Sequence, residues 1–359
     1  MRYRARSSFL LVSKTAVCNS ADGGRNRLIF YVTHRKHAYT HAVVLLYHRT
    51  DLQASFRLVR YEDAGLLRGV RAGVVIWSDM DRLTAEEMKR ASDLSAALAR
   101  LAGLKQLNHP TASLQRFDLL RVLGDDGGNL FRAFRLDQLD DTMRYPVFIR
   151  DEVGALYEEP PLLHDRPTLD AALARPDGRR LVRPIVVEMT GAPWPDGYYR
   201  KFAAYRVGDT IYAQHIAMSK SWFVKNSNEE LLPAHIDEIR AYIAANPHAE
   251  WVMQVFEKAR MQYGRIDYTL TNGKPTVFEI NSNPTVLSDP PTPFATYDPQ
   301  PFADLHANAL LALPQATAPD SLPEIDAAHR ATLAKLRRRY EFKRLKLVLK
   351  KLFGRSGKI

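Results

Sequence analysis

The sequence has a single cysteine, Cys18, in 359 residues. This excludes a disulfide framework and a zinc cluster built on cysteines, and it suits a reducing compartment. No apolar run reaches the ~18 residues of a membrane span. After Arg2, Arg4 and Arg6 the only apolar stretch is Phe9-Leu10-Leu11-Val12, short for a secretory core. Residues 1–24 are therefore expected to be a disordered leader, and the protein to be cytoplasmic. A Ser/His/Asp or reactive-Cys signature is also missing, so nucleophilic hydrolase chemistry has nothing to rest on. Acidic residues are nearly absent from one region only. From Arg330 to Ile359 there are twelve Lys/Arg and one acid, Glu341. The remaining chain holds 39 basic and 39 acidic residues. The formal charge of +11 is thus a C-terminal property and says nothing about an active site.

What is present reads as mixed α/β. Leu28–Thr33, Phe56–Tyr61 and Ala72–Trp77 are short β-rich runs. Thr84-Ala-Glu-Glu opens a helix with a capping-box pattern, and Gly103 ends it. Strands alternating with helical patterns predict a small parallel layer over residues 25–108. Beyond Pro110 the texture changes. A helix is expected over Leu114–Leu123, then strands or hairpins at Phe131–Phe134, Pro146–Ile149, Pro184–Glu188, Phe202–Val207 and Thr210–His215. Helices follow at Ala234–Ala245 and Ala249–Tyr263, then a hairpin of Arg265–Leu270 and Pro275–Asn281. Residues 284–301 hold six prolines and read as an extended wrap, and 313–330 as a linker. A basic amphipathic helix is expected over 331–359. It suits an anionic membrane surface or an acidic partner more than specific nucleic-acid binding.

The chemistry concentrates in Arg265-Ile-Asp-Tyr-Thr-Leu-Thr-Asn-Gly-Lys-Pro-Thr-Val-Phe-Glu-Ile-Asn-Ser-Asn-Pro284. Glu279 and Asn281 are two apart on a strand and project from one face. Hairpin register decides where Asp267 stands. A two-residue Asn-Gly loop pairs Thr271 with Lys274 and sets Asp267 opposite Phe278. A three-residue loop with Gly273 left-handed pairs Leu270 with Lys274 and sets Asp267 on the face of Glu279 and Asn281. In the second case two carboxylates and an amide oxygen form a site for a hard cation, Mg²⁺ or Mn²⁺, next to phosphates. His34, His37, His41 and His48 have spacings that could line one helix face and bind Zn²⁺. The first strand ends here, however, which places the early members in a loop. There His, Arg35 or Lys36 would suit phosphate or carboxylate recognition.

The ending Asp267…Glu279-Ile-Asn-Ser-Asn-Pro resembles the metal-binding strand pair of the ATP-grasp superfamily, nearest to the glutathione synthetase and ribosomal-protein glutamate ligase branch. The resemblance implies an ATP-grasp fold: a Rossmann-like pre-domain (25–108), then two α+β subdomains (109–190 and 191–312) clamping ATP. It implies an ATP- and Mg-dependent ligase joining a small-molecule or peptide carboxylate to an amine or thiol acceptor through an acyl phosphate. Tyr145-Pro-Val-Phe-Ile-Arg150 resembles the family strand ending in a phosphate-gripping Lys. Here that cation is Arg150, with Arg116 as a second. Pro184-Ile-Val-Val-Glu188 resembles the hinge strand, with backbone near Val187 meeting adenine and Glu188 reaching the ribose. Trp222-Phe-Val-Lys225-Asn226 resembles a segment near the phosphates. Asn226 would aid the metals, and Lys225 or Arg200 would neutralise developing charge. The departure is the loop Asp151–Pro161. It has one glycine and four acids where many members have a Gly-rich phosphate cover, which invites repulsion of a polyphosphate. Two other readings stay open: a phosphotransferase on the same scaffold, and a degenerate nucleotide-binding or membrane-associated protein.

Overall fold

A computed structural model describes residues 28–154, 158–174, 181–225, 227–292, 298–313 and 322–353. The first layer is a parallel sheet of β1 (Ile29–Thr33), β2 (Phe56–Arg60), β3 (Gly73–Trp77) and, beyond α1 (Ala85–Leu98), β4 (Leu104–Leu107). The strand order is β2-β1-β3-β4. Strands β1 and β3 are buried along their whole length, which is why they read as unbroken apolar runs and not as alternation. The capping box at Thr84 forms as expected, with Thr84 Oγ1 accepting from Glu87 N. Strand β4 was not anticipated. Only its two ends, Leu104 and Leu107, are buried, so its pattern is too short to stand out.

Helix α2 (Arg116–Asp125) leads into a three-stranded antiparallel sheet of β5 (Ala133–Arg135), β6 (Val147–Asp151) and, after α3 (Arg166–Ala174), β7 (Pro184–Glu188). Then come β8 (Tyr199–Val207), β9 (Thr210–Ser219), α4 (Pro233–Ala245), α5 (Ala249–Lys258), β10 (Tyr263–Thr271) and β11 (Lys274–Asn281). These four strands form an antiparallel sheet in the order β11-β10-β8-β9. Helices α4 and α5 cover one side of it through Ile239, Tyr242, Val252, Val255 and Phe256. The other side is left to line a cleft. A parallel α/β layer followed by two antiparallel α+β units is the layout that the ATP-grasp resemblance implies.

The C-terminal part differs from expectation. Helix α6 (Gln300–Leu311) begins within the last two residues of the segment read as an extended wrap and continues past it, where no helix was expected. Helix α7 (Pro323–Phe353) begins eight residues before the expected start at 331. Its first half is no linker. Ile325, His329, Leu333, Leu336 and Tyr340 are buried, and His329 Nδ1 accepts the β2 amide of Leu58 at 3.0 Å. The leader and the bulk of 313–321 lie outside the described residues.

Candidate active site

The β10–β11 hairpin turns through two residues, Asn272 (φ 53°) and Gly273 (φ 75°), and pairs Thr271 with Lys274. That is the register expected to separate the carboxylates. Instead a bulge between Asp267 and Tyr268 shifts the ladder by one residue. Tyr268 pairs with Val277, Asp267 with Glu279 and Arg265 with Asn281, leaving Phe278 as the extra residue. Asp267 and Glu279 therefore stand directly opposite each other, with Arg265 and Asn281 as the next pair.

Five cations surround these two acids. Arg116, on the first turn of α2, donates from Nη2 to Glu279 Oε2 at 2.6 Å, and Arg150, at the end of β6, does so at 3.4 Å. Arg265 binds Asp267 through Nε at 2.8 Å, and Lys201 Nζ stands 3.3 Å from Asp267 Oδ2. Lys225 completes the group. Burial alone would raise the Glu279 carboxyl, but the charges of Arg116, Arg150, Lys225 and Lys201 pull it far below the usual carboxylate range. Burial pushes the Lys225 ammonium down to about 8, with Lys201 and Arg150 adding to it against the pull of Glu279. Five positive charges against two negative ones call for a polyanion. The buried Nε of Arg116 points the same way, because it has no hydrogen-bond partner among the described residues.

The donor set also fits a hard divalent cation. Both arginines gather on Glu279 Oε2, so Oε1 carries no hydrogen bond among the described residues. Asn281 Oδ1 accepts only the amide of Asn283, at 2.9 Å. Asp267 is already neutralised by Arg265 and Lys201, and no group of three His, Cys, Asp or Glu converges among the described residues. The chemistry of this face thus suits a polyanion first and a hard divalent cation only together with it.

Two expected roles need correction. Arg200 is 6% exposed and points away from the cleft. It is held by Glu238 and Asp196 at 2.7–2.9 Å on the helix side of the sheet. The cleft-facing cation is its neighbour Lys201, on the opposite side of β8, because successive strand residues alternate. Glu188 is 2% exposed, and its carboxylate is consumed by Arg132 and Arg144, each donating from Nη2 at 2.7 Å. Its side chain is a structural anion and is not free for a ribose. Val187 does line the smaller cavity, but β7 is the central strand of its sheet and Val187 is paired with Ala133 and Phe148. Asn226 lies outside the described residues.

Three of the four acids of the 151–161 loop are taken up by other groups. Asp151 accepts backbone amides of Val153, Val182 and Arg183. Glu152, 1% exposed, binds Arg135 at 2.8 Å. Glu159 accepts from Ser221 at 2.7 Å. What the loop offers inward is Gly154, whose carbonyl accepts from Arg116 at 3.0 Å and Arg150 at 3.4 Å. Its φ of +75° and a hypothetical Cβ 3.3 Å from Arg82 Nη1 favour glycine there.

Two cavities meet at Glu279. The smaller, about 110 Å³, lies between Phe148, Val187–Ala192, Trp222, Phe278 and the cations Arg150, Lys201 and Lys225. Phe148 and Trp222 sit 5.1 Å apart, and Phe131 stacks on Phe278 at 6.3 Å. A flat aromatic-walled slot ending in cations suits a nucleotide. The larger, about 530 Å³, is lined by His37, Tyr39, Asp79, Arg82, Arg116, Gln214, Arg265 and Asn281–Asn283. It opens at the carboxyl ends of β1 and β3, where open α/β sheets bind ligands.

Asn283, two residues past the end of β11, bolts this cavity to the first layer. Its Oδ1 accepts from Tyr31 at 2.8 Å and Thr40 at 2.6 Å. Its Nδ2 donates to Thr33 Oγ1 and Asp79 Oδ2. The four histidines do not converge. His37 meets Asp79, His41 meets Tyr263, and His48 meets Gln300, while His34 contributes its backbone amide to Asp79. Lys201, Arg265 and Asn283 were not singled out from sequence, and Phe278, expected from strand alternation on the face opposite Glu279, lines the same cavity as Glu279. Arg265 carried the clearest signal, two residues before Asp267 on one strand face.

No protein-family model matches the chain, and no curated protein does. Solved structures similar to it include the D-alanine–D-alanine ligase from Bacillus anthracis, at 11% identity and a TM-score of 0.45 over 87% of this chain and 99% of that one. N5-carboxyaminoimidazole ribonucleotide synthetase from Thermotoga maritima is similar at 11% identity and 0.45, over 81% and 77%. Carboxyaminoimidazole ribonucleotide synthase from Aspergillus clavatus, complexed with ATP, is similar at 12% identity and 0.48, over 83% and 79%.

Proposed function

We propose that this chain is an ADP-forming ATP-grasp ligase that joins a carboxylate to an amine. The observation that carries the reading is the position of Glu279. It lies in the wall common to an aromatic slot and a larger polar cavity, ringed by Arg116, Arg150, Lys201 and Lys225 from four separate segments. ATP in the slot would place its phosphates among Arg116, Arg150, Lys201 and Lys225, pointing toward the second cavity. Glu279 and Asn281, with Asp267 beside them, would hold Mg²⁺ or Mn²⁺, which supplies further neutralisation of phosphate charge.

A carboxylate oxygen bound in the larger cavity attacks the γ-phosphorus, and the bond to ADP breaks. The amine then attacks the acyl carbon. Inorganic phosphate leaves, and the nitrogen loses a proton as the amide forms. The cations act by offsetting charge on the transferring group, and no side-chain nucleophile is needed. Arg265 and Gln214 line the acceptor cavity and are placed to orient polar groups there. Asp151, Glu152 and Glu159 are held by backbone amides, Arg135 and Ser221, which lessens the repulsion that favoured a degenerate site.

The test is ADP release with Mg-ATP across a panel of amino acids, peptides and amines. A ligase needs both carboxylate and amine for full turnover, and Glu279→Gln should reduce it at least a hundredfold. Turnover on a hydroxyl compound without an amine would turn the reading to a phosphotransferase. No ADP release from any pair, with ATP still bound, would overturn it.

A further inference from the structure

Helix α7 has two apolar sides with different fates. Leu333, Leu336 and Tyr340 are buried against the first layer. Roughly opposite, Phe342, Leu345 and Leu349 follow at i, i+3 and i+7 and share one edge of the distal half. They are 70%, 55% and 43% exposed. Large apolar side chains this open at helical spacing are not part of this fold's core.

The charge around that edge is unbalanced. Lys335, Arg338, Lys346, Lys350 and Lys351 are exposed and have no ion pair among the described residues. The one acid of the segment, Glu341, is taken by Tyr47 at 2.8 Å and by Arg344 at 3.8 Å. The helix is also fixed in direction. Arg339 lies over the Tyr39 ring at 5.3 Å, and Lys343 binds Asp289 at 2.7 Å and the Ser288 carbonyl at 3.0 Å. Tyr39 and Ser288 line the larger cavity, so the helix runs along its rim.

We propose that the distal half of α7 docks on an anionic lipid bilayer and thereby sets the mouth of the larger cavity against that surface. Cations flanking a narrow apolar edge match an interface where headgroups are negative and acyl chains begin just below. A nucleic acid would leave Phe342, Leu345 and Leu349 in water, so lipid is the better complement. Delivery of substrate to the cavity rests on the ligase reading, while the docking itself does not.

The test is co-sedimentation of the full chain with vesicles of phosphatidylcholine alone or with phosphatidylglycerol, at low and high salt. Binding is expected on the anionic vesicles at low salt, weaker by roughly tenfold on neutral ones and at high salt. The triple variant Phe342→Ser, Leu345→Ser, Leu349→Ser should lower anionic binding by roughly tenfold or more, with an unchanged melting temperature. Lys346→Gln and Lys350→Gln should each lower it roughly fivefold. Wild-type protein left in the supernatant, or a triple variant that binds as wild type, would overturn the proposal. Binding is read without ATP, so a failed ligase assay and a failed docking assay are separate results.

Discussion

Lys225 should trade folding stability for ligand binding, and the two can be read in one experiment. Its ammonium lies 4.7 Å over the Phe223 ring and has no carboxylate within ion-pair distance among the described residues. Burial, with Lys201 and Arg150 nearby, brings it from 10.5 to about 8. Holding the charged form there costs the ligand-free protein up to about 3 kcal/mol, and about 1–3 kcal/mol once partial exposure is allowed for. Lys225→Met removes that cost. The variant should be more stable without ligand, and at ~2 cal/mol/K per residue its melting temperature should rise by about 1–4 °C. The same substitution removes a cation from the phosphate path, so the rise in melting temperature caused by Mg-ATP should shrink. The pH dependence follows. Between about 8 and 10.5 the unfolded chain keeps a proton that the folded lysine has lost. Wild-type stability therefore gains from this group as pH rises through that window, while its ATP affinity falls; the variant lacks both trends. Scanning calorimetry with and without Mg-ATP on either side of pH 8 reads all of this. A variant that melts below wild type without ligand, yet responds to Mg-ATP as wild type does, would refute the reasoning.

Arg200→Met should cost about 2–4 kcal/mol by stranding Asp196 and Glu238, whereas Lys201→Met should melt near wild type and lose at least tenfold in ADP release. Urea melts and turnover together separate the two. Asn283→Ala leaves Asp79, Thr40 and Tyr31 short of partners and should cost about 2–4 kcal/mol in urea unfolding. It should also raise KM for the acceptor more than for ATP. His306 and His329 are pushed down by burial to about 3 and about 4, and His41 is also lowered, so all three fold neutral. The unfolded chain protonates them near 6.5, and stability is lost as pH falls below that value, by up to about 2 kcal/mol per histidine at pH 5. His329→Asn keeps an acceptor for the Leu58 amide and should lessen the acid loss by about a third in melts at pH 7 and pH 5.

The layers were legible because their strands are buried on both faces or alternate cleanly, and because Gly103, Gly208-Asp209 and Asn272-Gly273 punctuate them. A shared face for Asp267 and Glu279 was expected only from a three-residue loop, and as a diagonal contact. The turn has two residues, and a bulge at Phe278 sets the two acids directly opposite each other. Nothing local marks that bulge, since Phe278 is an ordinary strand residue whose stacking partner, Phe131, is far away in sequence. Choosing Arg200 over Lys201 failed for a similar reason. Tyr199-Arg-Lys-Phe-Ala-Ala-Tyr places two cations side by side before an unbroken apolar run, so alternation has no visible phase. Glu188 looked free because Arg132 and Arg144, which hold it, are 56 and 44 residues away. The proline-rich stretch hid α6, since Pro299 and Pro301 sit where a helix tolerates them, at its start.

The bulge makes the hairpin a matter of counting as well as of composition. Between the turn and the acidic pair, β11 carries one residue more than β10. That surplus lets consecutive residues, Phe278 and Glu279, line the same cavity, one as an aromatic wall and the other as an anion. Deleting Phe278 would zip the ladder into a regular one with the carboxylates still opposed, yet the slot would lose its wall. Adding a residue to β10 at the same level would instead even the two strands and turn Asp267 to the helix side. The wall of the slot and the acids at its end are thus set by one unpaired residue, so this hairpin tolerates exchange of letters better than a change in their number.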